Sequence, residues 1–564
     1  MPTLDICHIR NNADLYAQTC LSRNYPNLAS NPSRIIELID YHQALQANAK
    51  SLRERANALQ KQLLVLKVEG KNVEGALKEA REIKTKLLEV EKEEGDVMSN
   101  IEELALALPN ITSKETPRGA EFEVLCYVNA DEKTIQIKDS KGKPISHIDI
   151  GTQLGIIDFA SADAASGSGW YYLVGAGALL EQALVSYALD FTTHQGWTPV
   201  SPPSLVYSHI SASCGFQPRD SSGEQQVYHI AQDEKDKIRG VPEISLTRTS
   251  DIALAGMKAN AIISEAELPL KRVAASRCYR PEAGARAADT KGLYRVHELT
   301  KVELFAWTKP DKEEMEYMLD EMVDIQTDIL GALGLTCRVL DMPVHNLSAR
   351  ETRKIAIEAF FPSRAMGKTP DDIQEAGWGE IASVSFCTDY QSRRLATRMR
   401  EARGGTLGFP WTVNGTVLDV PRVLAALLEI GWDGEEGIMR LPKVLHQFMG
   451  TDRIEGPKRN VPLLHEFIPN TLTVNKVEHL VMGARLPVLL LLWNVLEWRY
   501  SRLDFGNEVV RQELVRLERN QTSLLENIRL VAQLIKNLNV SVSPIYLVKT
   551  QLNGKHVLHQ TWLE

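Results

Sequence analysis

The sequence predicts an α+β fold with a long antiparallel helical hairpin at its N-terminus and a mainly helical extension at its C-terminus. Three observations predict it. A seven-residue apolar repeat begins at Leu38 and resumes after a break at residues 70–72. From about residue 111 to about 450, strand-like and helix-like runs alternate with many turns. Beyond Gly450 the composition shifts: Pro457, Pro462 and Pro469 fall close together, and 471–564 read as largely helical, with a Leu/Val pattern from Val509 to Leu538. A chain of 564 residues fits two to four domains. The boundaries expected are 1–110 for the hairpin domain, 111–455 for the α+β body and 456–564 for the extension.

The hairpin rests on two heptad series. Leu38, Leu45, Leu52, Leu59 and Leu66 recur every seventh residue, with Ala49, Ala56 and Leu63 filling the alternate seam. The second series runs Ala76, Ala80, Ile83, Leu87, Val90, Val97, Ile101, Leu104 and Leu108, and its 4-3 spacing fails only at Glu94. Such seams make two helices pack antiparallel across a short turn. Each helix is then about 50 Å long, and Pro109-Asn110 ends the second. The first helix is basic, with Lys50, Arg53, Arg55, Lys61 and Lys67 against Glu54, and the second is predominantly acidic. Two readings are open. The faces can attract each other as solvated surfaces, or the first can offer a phosphate-binding stripe.

Residues 111–170 form a connector with strand-like pieces such as FEVLCYV and KTIQI. A helix pattern runs from Gly175 to His194 and closes at Gly196. WTPVSPPSLV is an extended run with prolines, suited to a sheet edge or an interface.

Composition excludes several classes. The formal net charge of −9 gives no global basic field, so nucleic-acid contact must come from a local patch. The 7 cysteines form no CxxC pair, which speaks against a zinc ribbon or disulfide framework and fits a reducing compartment. The longest apolar run, 486–498, holds Asn494 and Glu497 and is too short to span a bilayer. The N-terminus lacks a secretory apolar stretch, and Asp5 and Asp14 leave no evident transit peptide. GKT at 367–369 has Pro362 where a phosphate loop needs glycine, and Gly175-x-Gly177 has Leu180 where a dinucleotide fingerprint needs one. The glycine pair reads better as a helix start packed closely on a neighbour.

The chemistry concentrates in residues 277–305, RCYRPEAGARAADTKGLYRVHELTKVELF. An arginine on a strand can clamp an anion with its rigid fork, and Glu282 beside Arg280 can accept from an amine or hydroxyl. A turn bearing Gly284 and Gly292 can close over a ligand. LYRVHELTKVELF reads as a returning strand. Tyr294, Val296, Glu298, Thr300 and Val302 share one face, and Arg295, His297, Leu299, Lys301 and Glu303 the other. That second face is either a ligand-binding wall or the solvated outside of an edge hairpin.

CYRPEAGARAADTKGLYRVHELTKVE resembles motif 2 of the class II aminoacyl-tRNA synthetases, in the form used by seryl-tRNA synthetases. WTPVSPPSLV resembles motif 1, VNGTVLDVPRVLAALLE motif 3, and EIASVSFCTDYQSRRLATRMR the metal-binding strand and the region after it. LPKVLHQFMG resembles the closing segment, and LPNITSKETPRG the exit from the tRNA-binding arm. The resemblance spans roughly residues 4–450. It implies an antiparallel class II catalytic sheet flanked by helices, a coiled-coil arm that grips serine tRNA, and a homodimer built on motif 1. The implied activity is serine–tRNA ligation with ATP and Mg²⁺; the alternative is a synthetase-like binding or regulatory protein with weak or no aminoacylation. The N-terminal style and motif spellings look closer to bacterial and organellar members, so a mitochondrial location is expected, with the cytoplasm as alternative.

Carried over by position, the resemblance implies that Arg280 holds the α-phosphate and the serine carboxylate, and that Glu282 meets the adenine amino group. Glu303 receives the serine hydroxyl. Thr249 and Asp251 sit by the serine amino group, and Asn414 and Thr416 contact serine. Glu380 and Ser383 bind Mg²⁺. Arg422 lies against adenine and the γ-phosphate, and Leu299 covers adenine. Lys50, Arg53 and Arg55 bind tRNA. The chain departs from the family pattern at Leu299 (an aromatic in the usual form), Asp251 (usually Glu), Asp419 (usually small and apolar), Ile430 (usually Asn) and His446-Gln447 (usually Arg-Pro).

Overall fold

A computed structural model describes residues 4–130, 145–216, 225–281, 292–365, 377–402 and 405–457, and the backbone of two strands at 546–552 and 555–561. The chain divides into Met1–Pro457 and Lys458–Glu564.

Helices α1 (Asn31–Val68) and α2 (Glu74–Ala107) form the expected arm. Pro32 opens α1, where its missing N–H has no helical partner to lose. Ile35, Leu45, Ala49 and Leu59 are buried on α1, and Ile83, Val97, Ile101 and Ala105 on α2. The charge difference between the helices has an internal outlet. Arg53 pairs with Glu91 at 2.9 Å and Arg55 with Glu79 at 2.8 Å. Mutual attraction is therefore the reading that forms here, although both arginines stay about half exposed, at 52% and 56%. At the arm's base Arg394 Nη2 donates to the carbonyls of Leu106 and Leu108 at 3.2 Å, satisfying the end of α2 with a buried cation. Arg23, also buried, donates to the carbonyls of Asn110 and Ser348.

The body is built on a sheet of eight strands: β1 (Glu123–Val128), β2 (Thr198–Val200), β3 (Leu270–Tyr279), β4 (Glu298–Thr308), β5 (Cys337–Asp341), β6 (Arg353–Phe360), β7 (Trp378–Thr388) and β8 (Trp411–Asp419). Their order is β1-β5-β6-β7-β8-β4-β3-β2. Every pairing is antiparallel except β2 with β3. The proline-bearing run thus supplies an edge strand, as its missing donors require. Helices α3 (Ala176–His194), α5 (Lys312–Ala332) and α6 (Val420–Gly431) carry apolar residues that join one core with Val302, Leu304, Ala306, Ile355, Ile357, Val384 and Val413 of the sheet. A short helix, α4 (Ser250–Gly256), packs against β3 and β4. At Gly177, in the first turn of α3, a Cβ would lie 2.5 Å from the carbonyl of Ile156, so close packing explains this glycine.

One expectation changes. LYRVH is not strand: Gly292–Tyr294 is a 3₁₀ turn and β4 begins at Glu298. The period of two survives from there, with Val302, Leu304 and Ala306 in the core and Leu299, Lys301 and Glu303 on the opposite face. Of the extension expected to be mainly helical, the described part is an antiparallel pair of strands, Tyr546–Leu552 and Lys555–Thr561. The sequence between them, Asn553-Gly554, is a strong two-residue hairpin signal, and the Leu/Val pattern of Val509–Leu538 lies outside the described residues. The stretch 458–545 and the KTIQI run lie outside the described residues. Among the described residues no helix is long and apolar enough to cross a membrane.

Candidate active site

The site lies on the sheet face opposite the main core, across β3, β4, β8 and β7. Two bulges set its composition. In β7 the pairing with β6 slips at Ile381, so Ile381 and Ala382 both enter the core. The slip turns Glu380 and Ser383, three apart in sequence, onto the same face. In β8 a slip at Val417 sends Val417 and Leu418 inward and leaves Asn414, Thr416 and Asp419 facing the site.

Glu303 is the centre of the floor. It is buried and accepts from Thr249 Oγ1 at 2.5 and 2.6 Å, from Thr416 Oγ1 at 3.2 Å, and from the Ser250 backbone N–H. Lys301 Nζ lies 2.5 Å from its Oε1. Burial alone raises a carboxyl pKa. Here Lys301 and the donors of Thr249 and Ser250 outweigh it and hold Glu303 well below the usual carboxylate range. Glu303 is therefore a fixed anion with oriented acceptors.

Asp251, in the first turn of α4, is equally buried but differently held. It forms an ion pair with Arg350, a cation in the loop before β6. Burial, reinforced by the nearby charge of Glu303, raises its pKa despite Arg350. Arg350 also reaches Asn414 Oδ1 at 3.4 Å and lies over the Phe216 ring at 5.0 Å. One guanidinium thus engages two of the residues expected to touch serine. Nothing in the run HNLSARET marks Arg350 beforehand. Its role follows from the fold bringing this loop under α4.

At the other end of the site, Arg280 follows β3. Its backbone N–H donates to the His297 carbonyl at 2.8 Å, and among the described residues its buried Nε has no hydrogen-bond partner. Arg422, in the first turn of α6, donates from Nε to the Tyr294 carbonyl at 2.8 Å and from Nη1 to the Glu380 carbonyl at 2.7 Å. Asp419 lies 3.6 Å from its Nε. Glu380 pairs with Lys354 at 2.8 Å, not with Arg393 or Arg394, and stays 36% exposed. Burial acts to raise its pKa, but Lys354, then Arg422 and Lys301, lower it, so it is ionised. A partly buried ionised carboxylate and a hydroxyl on one strand face suit a hard cation, with Lys354 as an internal competitor. Among the described residues no cluster of three His, Cys, Asp or Glu side chains is placed to hold a metal.

Leu299 lies on the site face but is only 2% exposed, packed with Cys278, Val296 and Tyr171. Glu282 lies outside the described residues. Lys50 sits on the arm with Arg53 and Arg55, away from this site. Thr249, Asp251, Glu303, Asn414 and Thr416 converge at one end, and Arg422, Glu380 and Ser383 at the other.

A model of the tRNA synthetase class II core domain (G, H, P, S and T) matches residues 235–431, and one of the seryl-tRNA synthetase N-terminal domain matches 3–112. The mitochondrial serine–tRNA ligase of Saccharomyces cerevisiae is 39% identical over 360 residues, 64% of this chain and 74% of the yeast protein. The serine–tRNA ligase of Rubrobacter xylanophilus is 34% identical over 461 residues, 81% of this chain and its own full length. This chain belongs to the seryl-tRNA synthetase family. A crystal structure of seryl-tRNA synthetase from Pyrococcus horikoshii complexed with ATP superposes with a TM-score of 0.69 at 28% identity, covering 81% of this chain and all of that one. The class II sheet and the helical arm are thus those of a serine–tRNA ligase.

Proposed function

We propose that this seryl-tRNA synthetase activates serine on the floor formed by Glu303, Thr249 and Thr416 and transfers it to serine tRNA held by the arm. The observation that carries the reading is Glu303, a buried carboxylate kept ionised with oriented acceptors. A serine hydroxyl can add a charge-assisted hydrogen bond to it, which the methyl group of alanine cannot make. Asn414 and Thr416 complete the serine contacts. The serine ammonium meets Thr249 and Asp251, in competition with Arg350.

Activation is an attack by a serine carboxylate oxygen on the α-phosphorus of ATP. The bond to the bridging oxygen breaks and pyrophosphate leaves. Two anions must approach, and fixed cations offset their repulsion. Arg280, whose buried Nε has no hydrogen-bond partner among the described residues, is assigned the α-phosphate and the carboxylate. Arg422 is assigned the γ-phosphate and adenine, and Glu282 the adenine amino group. Glu380 and Ser383 are the residues that would hold Mg²⁺, which supplies charge compensation on the phosphates. In the second step the terminal ribose hydroxyl of the tRNA attacks the acyl carbon, and AMP leaves. Serine-dependent ATP–pyrophosphate exchange tests the first step.

Asp419 places a negative charge beside Arg422 and so opposes triphosphate binding. Asp419→Asn is expected to lower the KM for ATP by about two- to fivefold, consistent with a pair energy of up to about 1 kcal/mol. An unchanged or raised KM for ATP contradicts this.

The tRNA arm is proposed to use Lys50, Arg53 and Arg55. The ion pairs of Arg53 and Arg55 are half exposed and weak in water, so phosphates can displace Glu91 and Glu79. Replacing all three with Ala should weaken tRNA binding and flatten its salt dependence by roughly one unit of log–log slope for each phosphate no longer neutralised, without changing pyrophosphate exchange. Unchanged affinity at low salt refutes the stripe. A homodimer is proposed through the Trp197–Val206 run, where Leu205 is exposed and apolar. Relatives named as mitochondrial support a mitochondrial location.

A further inference from the structure

One buried polar cluster lies outside the residues assigned to serine and ATP. Glu429, on α6, has a fully buried side chain and gathers five donors. They are the His147 backbone N–H at 3.2 Å, His147 Nδ1 at 3.0 Å, Tyr294 Oη at 3.1 Å, Ser363 Oγ at 2.8 Å and the Ser363 backbone N–H at 3.0 Å. His147 Nε2 accepts from the Leu293 N–H at 3.1 Å. That bond fixes the imidazole with its proton on Nδ1, directed at Glu429. Burial acts to raise the Glu429 pKa, but His147 and Ser363 outweigh it, and the group stays below its ordinary range. So many donors on one carboxylate exceed what is needed to bury it; they tie three chain segments to α6.

The segment that matters is Gly292–Tyr294, which leads into β4. Gly292 has φ +69°, and a Cβ there would collide with His147 and Ile148, so the turn lies flat against the cluster. Tyr294 is held at every end. Its hydroxyl donates to Glu429. Its ring packs edge-on to His147 at 4.5 Å and to Phe361 at 4.7 Å, under the Arg364 guanidinium at 4.0 Å. Its carbonyl accepts from Arg422 Nε. Arg422 and Glu429 are seven residues apart, two turns along one face of α6. Tyr294 thus bridges them, with its carbonyl on one and its hydroxyl on the other. Among the described residues Arg422 is also bonded to the Glu380 carbonyl, and Asp419 lies 3.6 Å from its Nε.

We infer that Tyr294, anchored by Glu429 and His147, is a positioning residue that holds the Arg422 guanidinium in place for the phosphates of ATP. This rests on the ATP role proposed for Arg422. When the hydroxyl bond to Glu429 is removed, the Tyr294 carbonyl can shift, and Arg422 loses one of its two backbone anchors. The serine floor is formed by other elements and stays as it was.

The test compares Tyr294→Phe, Glu429→Gln and Arg422→Ala in serine-dependent ATP–pyrophosphate exchange, with thermal midpoints measured alongside. Tyr294→Phe keeps the ring and the carbonyl and removes only the hydroxyl, so it remains informative should Glu429→Gln fold poorly. Tyr294→Phe is expected to raise the KM for ATP by about three- to tenfold, as one hydrogen bond to a charged group allows, and to leave the KM for serine within about twofold. Arg422→Ala should raise the KM for ATP further, and adding Tyr294→Phe to it should have no additional effect on that constant, since the two act through one contact. An unchanged KM for ATP in Tyr294→Phe, with Arg422→Ala impaired, overturns the positioning role alone. Equal rises in both KM values with a fall in thermal midpoint also overturn it, because they mark a general structural role. If Arg422→Ala itself binds ATP normally, the underlying assignment fails as well.

Discussion

Glu303→Gln is expected to lower kcat/KM for serine in ATP–pyrophosphate exchange by about 100-fold, the equivalent of one charge-assisted hydrogen bond of about 2–3 kcal/mol. The amide keeps the volume and can still accept from Thr249, so the change isolates the charge. Its consequence reaches Lys301, which is buried and whose ammonium then faces a neutral partner. Loss of stability follows from that unpaired cation, up to about 3–5 kcal/mol. Two measurements separate the effects. The thermal midpoint should fall, and among molecules that remain folded the KM for ATP should stay near the parent value. A variant that activates serine as well as the parent rules out Glu303 as the hydroxyl receptor.

Arg280→Ala should be the more severe change for chemistry, reducing exchange by about 10³-fold or more, as for other arginines that neutralise a transferring phosphoryl group. Folding should be nearly untouched, because among the described residues the buried Arg280 Nε has no partner to lose. Arg280→Lys should recover part of the rate: it restores a positive charge but not the planar fork that can meet two oxygens at once. Equal rates in the parent, Ala and Lys forms exclude Arg280 from the phosphate site.

Much of the fold is legible in the sequence because its signals are periodic. The heptads of Leu38–Leu66 and Ala76–Leu108 give the arm, and the alternation from Leu299 to Glu303 gives the two faces of β4. The illegible parts depend on contacts between distant segments. Arg350 sits in an unremarkable loop, and only the fold brings it onto Asp251 and Asn414. The pairing of Glu380 with Ser383 depends on the bulge at Ile381, which a strict period of two cannot foresee. LYRVH alternates like a strand, yet the left-handed Gly292 and the buried His147 bend it into a 3₁₀ turn.

The arm shows the opposite case. Its charge asymmetry is readable from the residues alone, and the structure gives Arg53 and Arg55 acidic partners across the hairpin. Among the departures from the family pattern, two acquire a physical meaning. Asp251 is paired with Arg350, so a substrate ammonium bound there as proposed would meet a carboxylate already engaged. Asp419 partly neutralises Arg422. Under the proposed site roles, both oppose substrate binding while leaving the reacting geometry in place. The expected enzyme is therefore active, with raised KM values for serine and ATP.

The most direct measurement is ATP–pyrophosphate exchange by the full chain across serine, alanine, threonine and glycine, with serine varied to high millimolar concentration. Exchange should depend on serine, be about 10²-fold weaker with alanine because the hydroxyl's bond to the charged Glu303, worth about 2–3 kcal/mol, is lost, and disappear in Arg280→Ala. No exchange with serine at any concentration, from folded protein that still binds serine tRNA through its arm, would contradict the account and leave a synthetase fold serving as a binding protein.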